Sequence, residues 1–203
     1  MTRPLDALRP LLPELAARAA EMEEVRRLPA DLAQKLAATG AFRLVTPGAY
    51  GGLEASPREM VETVETVARA NASAGWCVMI AATTALNAAY MDEGFARAIY
   101  ADPMAITGGV FAPMGRAVPE GDHYRVTGRW QWGSGSANCT WLCGGCTIWE
   151  NGEMLRLPSG APDTRMMVFP ASDAVLHDTW HVMGLKGTGS GDIEVKDILV
   201  PKG

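Results

Sequence analysis

The chain has 203 residues, 48% of them hydrophobic and 20% charged, an ordinary globular composition with enough apolar residues for one or two cores. Its net charge of −5, with no basic run, argues against nucleic-acid binding. No stretch approaches the roughly 20 apolar residues of a membrane span, and the start lacks the basic segment and apolar core of a signal peptide, so no membrane partner is expected and the expected location is the cytoplasm.

The first half has helical spacing. In "LPELAARAAEMEEVRR", Leu12, Leu15, Ala16, Ala19 and Met22 fall on one stripe. "LPADLAQKLAATG" places Pro29 near a first helical position and Gly40 at a stop. In "SPREMVETVETVARA", Ser56 and Glu59 form a capping box around Pro57. Met60, Val61, Val64, Val67 and Ala68 make that helix's inner face, and Glu59, Glu62 and Glu65 its solvated edge. "SAGWCVMIAATTALNAAYM" is apolar nearly all round; with Thr83, Thr84 and Asn87 inside it, it reads as a central helix rather than a membrane span. "EGFARAIYADP" closes the helical part, predicted over residues 1–104.

Residues 105–203 change period. "HYRVTGRWQW", "TWLCGGCTIW", "TRMMVFPAS" and "DIEVKDILVP" alternate or are β-rich and are separated by turn residues. The fold class is therefore α+β: an all-α N-terminal domain, then an antiparallel β-barrel or sandwich. Three of the four cysteines lie in "CTWLCGGC". Alternation sends Cys143 and Cys146 to opposite faces, which favours buried thiols over a metal or redox pair. "GLKGTGSGD" is followed by a strand, so it lacks the helix N-terminus of a phosphate loop and reads mainly as a connection, with the hydroxyls of Thr188 and Ser190 available. His177 and His181 are four apart on strand and loop, where that spacing does not bring them together. "GSGSAN" lacks the strand-to-helix elbow of a serine nucleophile.

The segment "GRWQWGSGSANCTW" has two readings. Trp130 and Trp132 are packing for a β core, which composition alone favours. Alternatively, Trp132 is a wall for a flat polar ring, with Ser134, two residues on and on the same strand face, as an edge donor.

The order of motifs resembles the acyl-CoA dehydrogenase superfamily. "VTPGAYGGLEASPREMVETVETVARANASAGW" is similar to its N-terminal helical domain, "FAPMGRAVPEGDHYRVTGRWQWGSGSANCTWL" to its middle β domain, and "DTWHVMGLKGTGSGDIEVKDILVP" to the closing strands. "APMGRA" and "GRWQWGSG" look more like the two-component (group D type) flavin-dependent monooxygenase branch than the dehydrogenases. The resemblance implies FMN or FAD as cofactor, a separate flavin reductase, a small aromatic substrate to be hydroxylated, and a homo-oligomer. It implies that Phe111, Ala112, Trp132, Ser134 and Gly135 hold the flavin, with Ser134 near its N5/O4 edge, and that Trp76 and Thr84 face the substrate. Thr84 stands where the branch often has a histidine, and it cannot act as a base at neutral pH. The family's C-terminal helical bundle has no counterpart in the chain, so a fragment, or a partner chain supplying the bundle, is expected. An acyl-CoA dehydrogenase, for which no carboxylate base is evident, and a non-catalytic flavin-binding or interaction module are the alternatives.

Overall fold

The computed structural model describes residues 4–202. The helical part holds α1 (Pro4–Leu8), α2 (Leu12–Ala17), α3 (Ala19–Val25), α4 (Ala30–Ala38), α5 (Pro57–Ala70), α6 (Ala72–Thr84) and α7 (Glu93–Ile99). The strands are β1 (Thr107–Glu120), β2 (His123–Trp130), β3 (Trp141–Glu150), β4 (Glu153–Met154), β5 (Thr164–Pro170), β6 (Val175–His177) and β7 (Asp192–Pro201).

The opening helical stretch is broken into short segments. Pro10 and Pro13 remove two N–H donors, and the chain tightens into a 3-10 turn at Arg9–Leu11. The inward stripe narrows to Leu8, Leu15 and Met22, all buried, while Ala16 is exposed, contrary to expectation. The glycine stop of α4 forms as expected, with Gly40 in the left-handed region at φ +80°. The capping box of α5 is present: Glu59 N–H donates to Ser56 Oγ at 3.3 Å, and Ser56 N–H donates to the Glu59 carboxylate at 2.9 Å. Its inner face is centred on Thr63 and Val67, so Val61, about 100° round the helix from Met60, is 63% exposed rather than internal. Helices α5 and α6 approach closely where a Cβ on Gly75 would stand 2.6 Å from Ala68 Cα. The stretch Ala72–Ala89 is long and apolar enough to cross a membrane, but over half of it is buried, with Ala74, Cys77, Val78, Ala81 and Ala82 in the same core as Leu15 and Met22.

The seven strands form one mixed, mostly antiparallel sheet in the order β4-β3-β1-β2-β7-β6, with β5 on β3. The correction to an all-antiparallel domain is the β1–β3 pair, which is parallel. Strand β1 itself escapes alternation, because between the pairs Val110↔Gly144 and Gly115↔Cys146 it spends five steps against two on β3. That bulge turns Phe111, Ala112, Pro113 and Met114 outward in succession. Side chains from β1, β2, β3, β5 and β7 meet around Trp130 and Phe169, whose rings lie 5.9 Å apart. The indole of Trp130 lies in a slot of glycines: a Cβ on Gly144 would come within 2.3 Å of the ring, and those on Gly115 and Gly128 within 2.4 Å and 2.7 Å. Its N–H donates to Gly145 O at 2.7 Å. Cys143 takes a hydrogen bond from Asn87 Nδ2 at 3.8 Å on the helical side, whereas Cys146 lies in the Trp130 core, so the two thiols do face opposite ways.

Candidate functional site

Strand β2 stops at Trp130, and the chain turns at once. Trp132 is in the left-handed region at φ +68°, an outlier for a bulky residue, and its side chain is 69% exposed. Ser134 N–H donates back to Trp132 O at 2.9 Å, and Gly133 N–H donates to Gly191 O at 2.8 Å. The strand alternation expected to put Trp132 and Ser134 on one face does not reach them, since the tight turn throws Trp132 out and folds Ser134 in. The packing reading therefore holds for Trp130, which is buried in the core, and not for Trp132, which is exposed.

The Ser134 hydroxyl has built surroundings. Trp76 Nε1 on α6 donates to Ser134 Oγ at 2.9 Å. Ser134 Oγ lies 2.7 Å from Ser190 Oγ, which lies 2.7 Å from Thr188 Oγ1, and Thr188 Oγ1 donates to Leu185 O at 2.9 Å. All three hydroxyl residues are buried. The glycine-rich segment is thus a connection between β6 and β7, as expected, but its hydroxyls are committed to Ser134 rather than left open. Gly187 sits against Met22 and Ser73, at 3.0 Å from a built Cβ to each, which presses the segment onto the helical part. Small hydroxyl residues in two glycine-rich turns were the signal for this chain; their mutual contact was not legible.

The other expected site residues divide. Phe111 and Ala112 are exposed on the β1 bulge, and antiparallel pairing of β1 with β2 brings that bulge toward the sheet end from which residues 131–132 depart. Trp76 is 42% exposed, and its indole bridges α6 to the turn. Gly135 is turned inward, its N–H donating to Thr188 O at 2.8 Å and its α-carbon facing Cys77, so that amide is already engaged. Thr84 is buried with its hydroxyl unpartnered, lining a small recess with Asn87, Tyr100 and Cys143. The structure therefore does not bring Thr84 to the exposed face that holds Trp132. The histidines have different partners: His177 contacts Glu194 at 2.6 Å, and His181 lies 3.9 Å from Asp178. Burial pushes the thiols of Cys77, Cys143 and Cys146 up to about 12, far from nucleophiles at neutral pH.

An exposed indole held in a strained turn, next to an anchored hydroxyl, suits a flat ring with a polar edge. The similarities of the chain agree with that shape. Residues 9–94 match the acyl-CoA dehydrogenase N-terminal domain. The helical part is thus similar to that domain, and the sheet that follows it is like the middle domain of such proteins.

Over 199 residues it is 32% identical to the oxygenase subunit HsaA of a flavin-dependent monooxygenase from Mycobacterium tuberculosis, covering 98% of this chain and 49% of that one. It superposes on 3-HSA hydroxylase from Rhodococcus sp. RHA1 with TM-score 0.90 and 32% identity, covering 98% of this chain and 51% of the other. It also superposes on XiaF from Streptomyces sp., solved with FADH2 and glycerol, with TM-score 0.87 and 29% identity, covering 98% and 49%. The chain spans about half the length of the relatives it matches. Its homologues are flavin-dependent monooxygenase oxygenase subunits.

Proposed function

We propose that the chain supplies the flavin-holding part of the oxygenase component of a two-component monooxygenase. The observation that carries this reading is Trp132, exposed in a left-handed turn whose next residues anchor Ser134 to Trp76, Ser190 and Thr188. A bulky side chain in that conformation costs about 1–3 kcal/mol and persists where something is gained elsewhere. The flavin ring would lie against Trp132 and the Phe111–Ala112 bulge, with its N5/O4 edge toward Ser134 and Trp76 toward the substrate. Bound there in reduced form, the flavin supplies the electrons that activate dioxygen for hydroxylation of a small aromatic compound. The chain's own residues bind and orient the ring and hold the hydrogen bond at its edge. A separate reductase would deliver the reduced flavin, FMN or FAD. A helical bundle from elsewhere would cover the ring, and the assembly would be an oligomer in the cytoplasm.

An acyl-CoA dehydrogenase needs a carboxylate facing the substrate. The three carboxylates on the strand after the glycine-rich segment are engaged: Asp192 by Arg129 and Thr179, Glu194 by His177, and Asp197 by Thr127. The test is titration of the purified chain with oxidised and reduced FMN and FAD, followed by absorbance and fluorescence. Micromolar binding that is lost in Trp132→Ala supports the reading. Absence of binding in every state sinks it and leaves a non-catalytic module.

A further inference from the structure

The hydroxyl chain behind the turn has a direction, because a carbonyl only accepts. Thr188 Oγ1, 2.9 Å from Leu185 O, donates to it and so spends its one proton. At its 2.7 Å contact with Ser190, Thr188 therefore accepts, and Ser190 spends its own proton there. At the 2.7 Å contact between Ser190 and Ser134, Ser190 must in turn accept, and the Ser134 proton goes to it. Trp76 Nε1 can only donate, and it takes one lone pair of Ser134 Oγ. What remains on Ser134 is a single lone pair and no proton. The notion of Ser134 as an edge donor is thereby reversed. With all three residues buried, water is poorly placed to reset the order.

This bears on a flavin because N5 of the ring is a bare acceptor when oxidised and carries an N–H when reduced. An acceptor-only hydroxyl completes a hydrogen bond with the reduced ring and faces the oxidised ring lone pair to lone pair. Resting on the proposed flavin site, we infer that Thr188 and Ser190 are positioning residues: they fix the polarity of Ser134, so that the site selects reduced over oxidised flavin.

The experiment is an anaerobic titration of FMN and FAD, each oxidised and each dithionite-reduced, against the wild-type chain, Thr188→Val, Ser190→Ala and Thr188→Ser, with circular dichroism to confirm folding. The wild type should bind the reduced form more tightly. Thr188→Val frees the Ser190 proton, and Ser190→Ala frees that of Ser134, so the reduced-to-oxidised affinity ratio should fall roughly two- to tenfold, the worth of one ordinary hydrogen bond. Thr188→Ser keeps the hydroxyl and should keep the ratio. A merely structural role would weaken both oxidation states alike. Equal wild-type affinities, or an unchanged ratio in whichever of Thr188→Val and Ser190→Ala folds, would overturn the polarity argument while leaving the flavin site intact. Failure of the wild type to bind either state overturns both.

Discussion

Two tryptophans two residues apart have opposite duties. Trp130 is fully buried in its glycine slot, so Trp130→Ala should cost about 3–5 kcal/mol, read as a drop in the urea midpoint. Trp132 is exposed at φ +68°, where glycine is unstrained. Trp132→Gly should therefore raise stability by about 1 kcal/mol while abolishing flavin binding. Loss of stability in that variant would show that Trp132 packs within this chain instead of against a ligand. The sequence singles out these residues by type, but alternation could not assign them. It was carried four residues past Trp130, through a turn where the backbone leaves the strand. The Ser134 partners were likewise out of reach, because Ser134 and Ser190 meet across 56 residues of chain.

Elements with local causes were the legible ones. The α5 start is written in four consecutive residues, Ser56 to Glu59, and its cap formed as read. Ser56→Ala should cost about 1 kcal/mol in thermal or denaturant unfolding, and a change near zero would mean that the first turn is held by tertiary contacts alone. The strands β2, β3, β5 and β7 alternate or run apolar and were found, whereas β1 was not, although it is the longest of them by four residues. Its three glycines, its two prolines and its bulge interrupt the two-residue period that makes a strand visible. The short β4 and β6 carry too few residues to show any period. The tight sequence "CGGC" has a reason visible only in three dimensions. Gly144 lies under the Trp130 indole, and a Cβ on Gly145 would stand 2.2 Å from Phe111 O at the bulge. Gly144→Ala should lower the stability to unfolding by about 1–3 kcal/mol, the cost of an overpacked core. A near-neutral result would mean that Trp130 has room to shift.

At the scale of the molecule, composition spoke for one or two cores, and the way they join was hidden in it. Helix α6 makes most of the joint, with Thr107 Oγ1 donating to Ala81 O at 3.5 Å and Cys77 against the Thr188 carbonyl; outside it, Asn138 Nδ2 donates to Leu28 O at 2.9 Å. Thiols mark both cores, with Cys77 in the helical one, Cys146 in the sheet and Cys143 between β3 and Asn87. Burial holds each up to about 12, against about 8.5 in an unfolded chain. For an acid whose folded pKa is raised, the unfolded state loses its proton first as pH rises. Stability from these thiols is therefore complete below about pH 8.5 and lost progressively between there and pH 12. The loss is about 1.4 kcal/mol per pH unit for each thiol, about 4 kcal/mol for the three by pH 9.5. That is a large share of the 5–15 kcal/mol typical of a domain. Burial raises Tyr100 as well and adds a loss of the same sign. The urea midpoint should therefore be flat from pH 6 to 8 and fall above about pH 8.5. Replacing Cys77, Cys143 and Cys146 together by alanine should lower stability at pH 7 yet flatten the alkaline slope. A wild-type midpoint that stays level to pH 10 would mean that water reaches these sulfurs and that the two cores are looser than their packing shows.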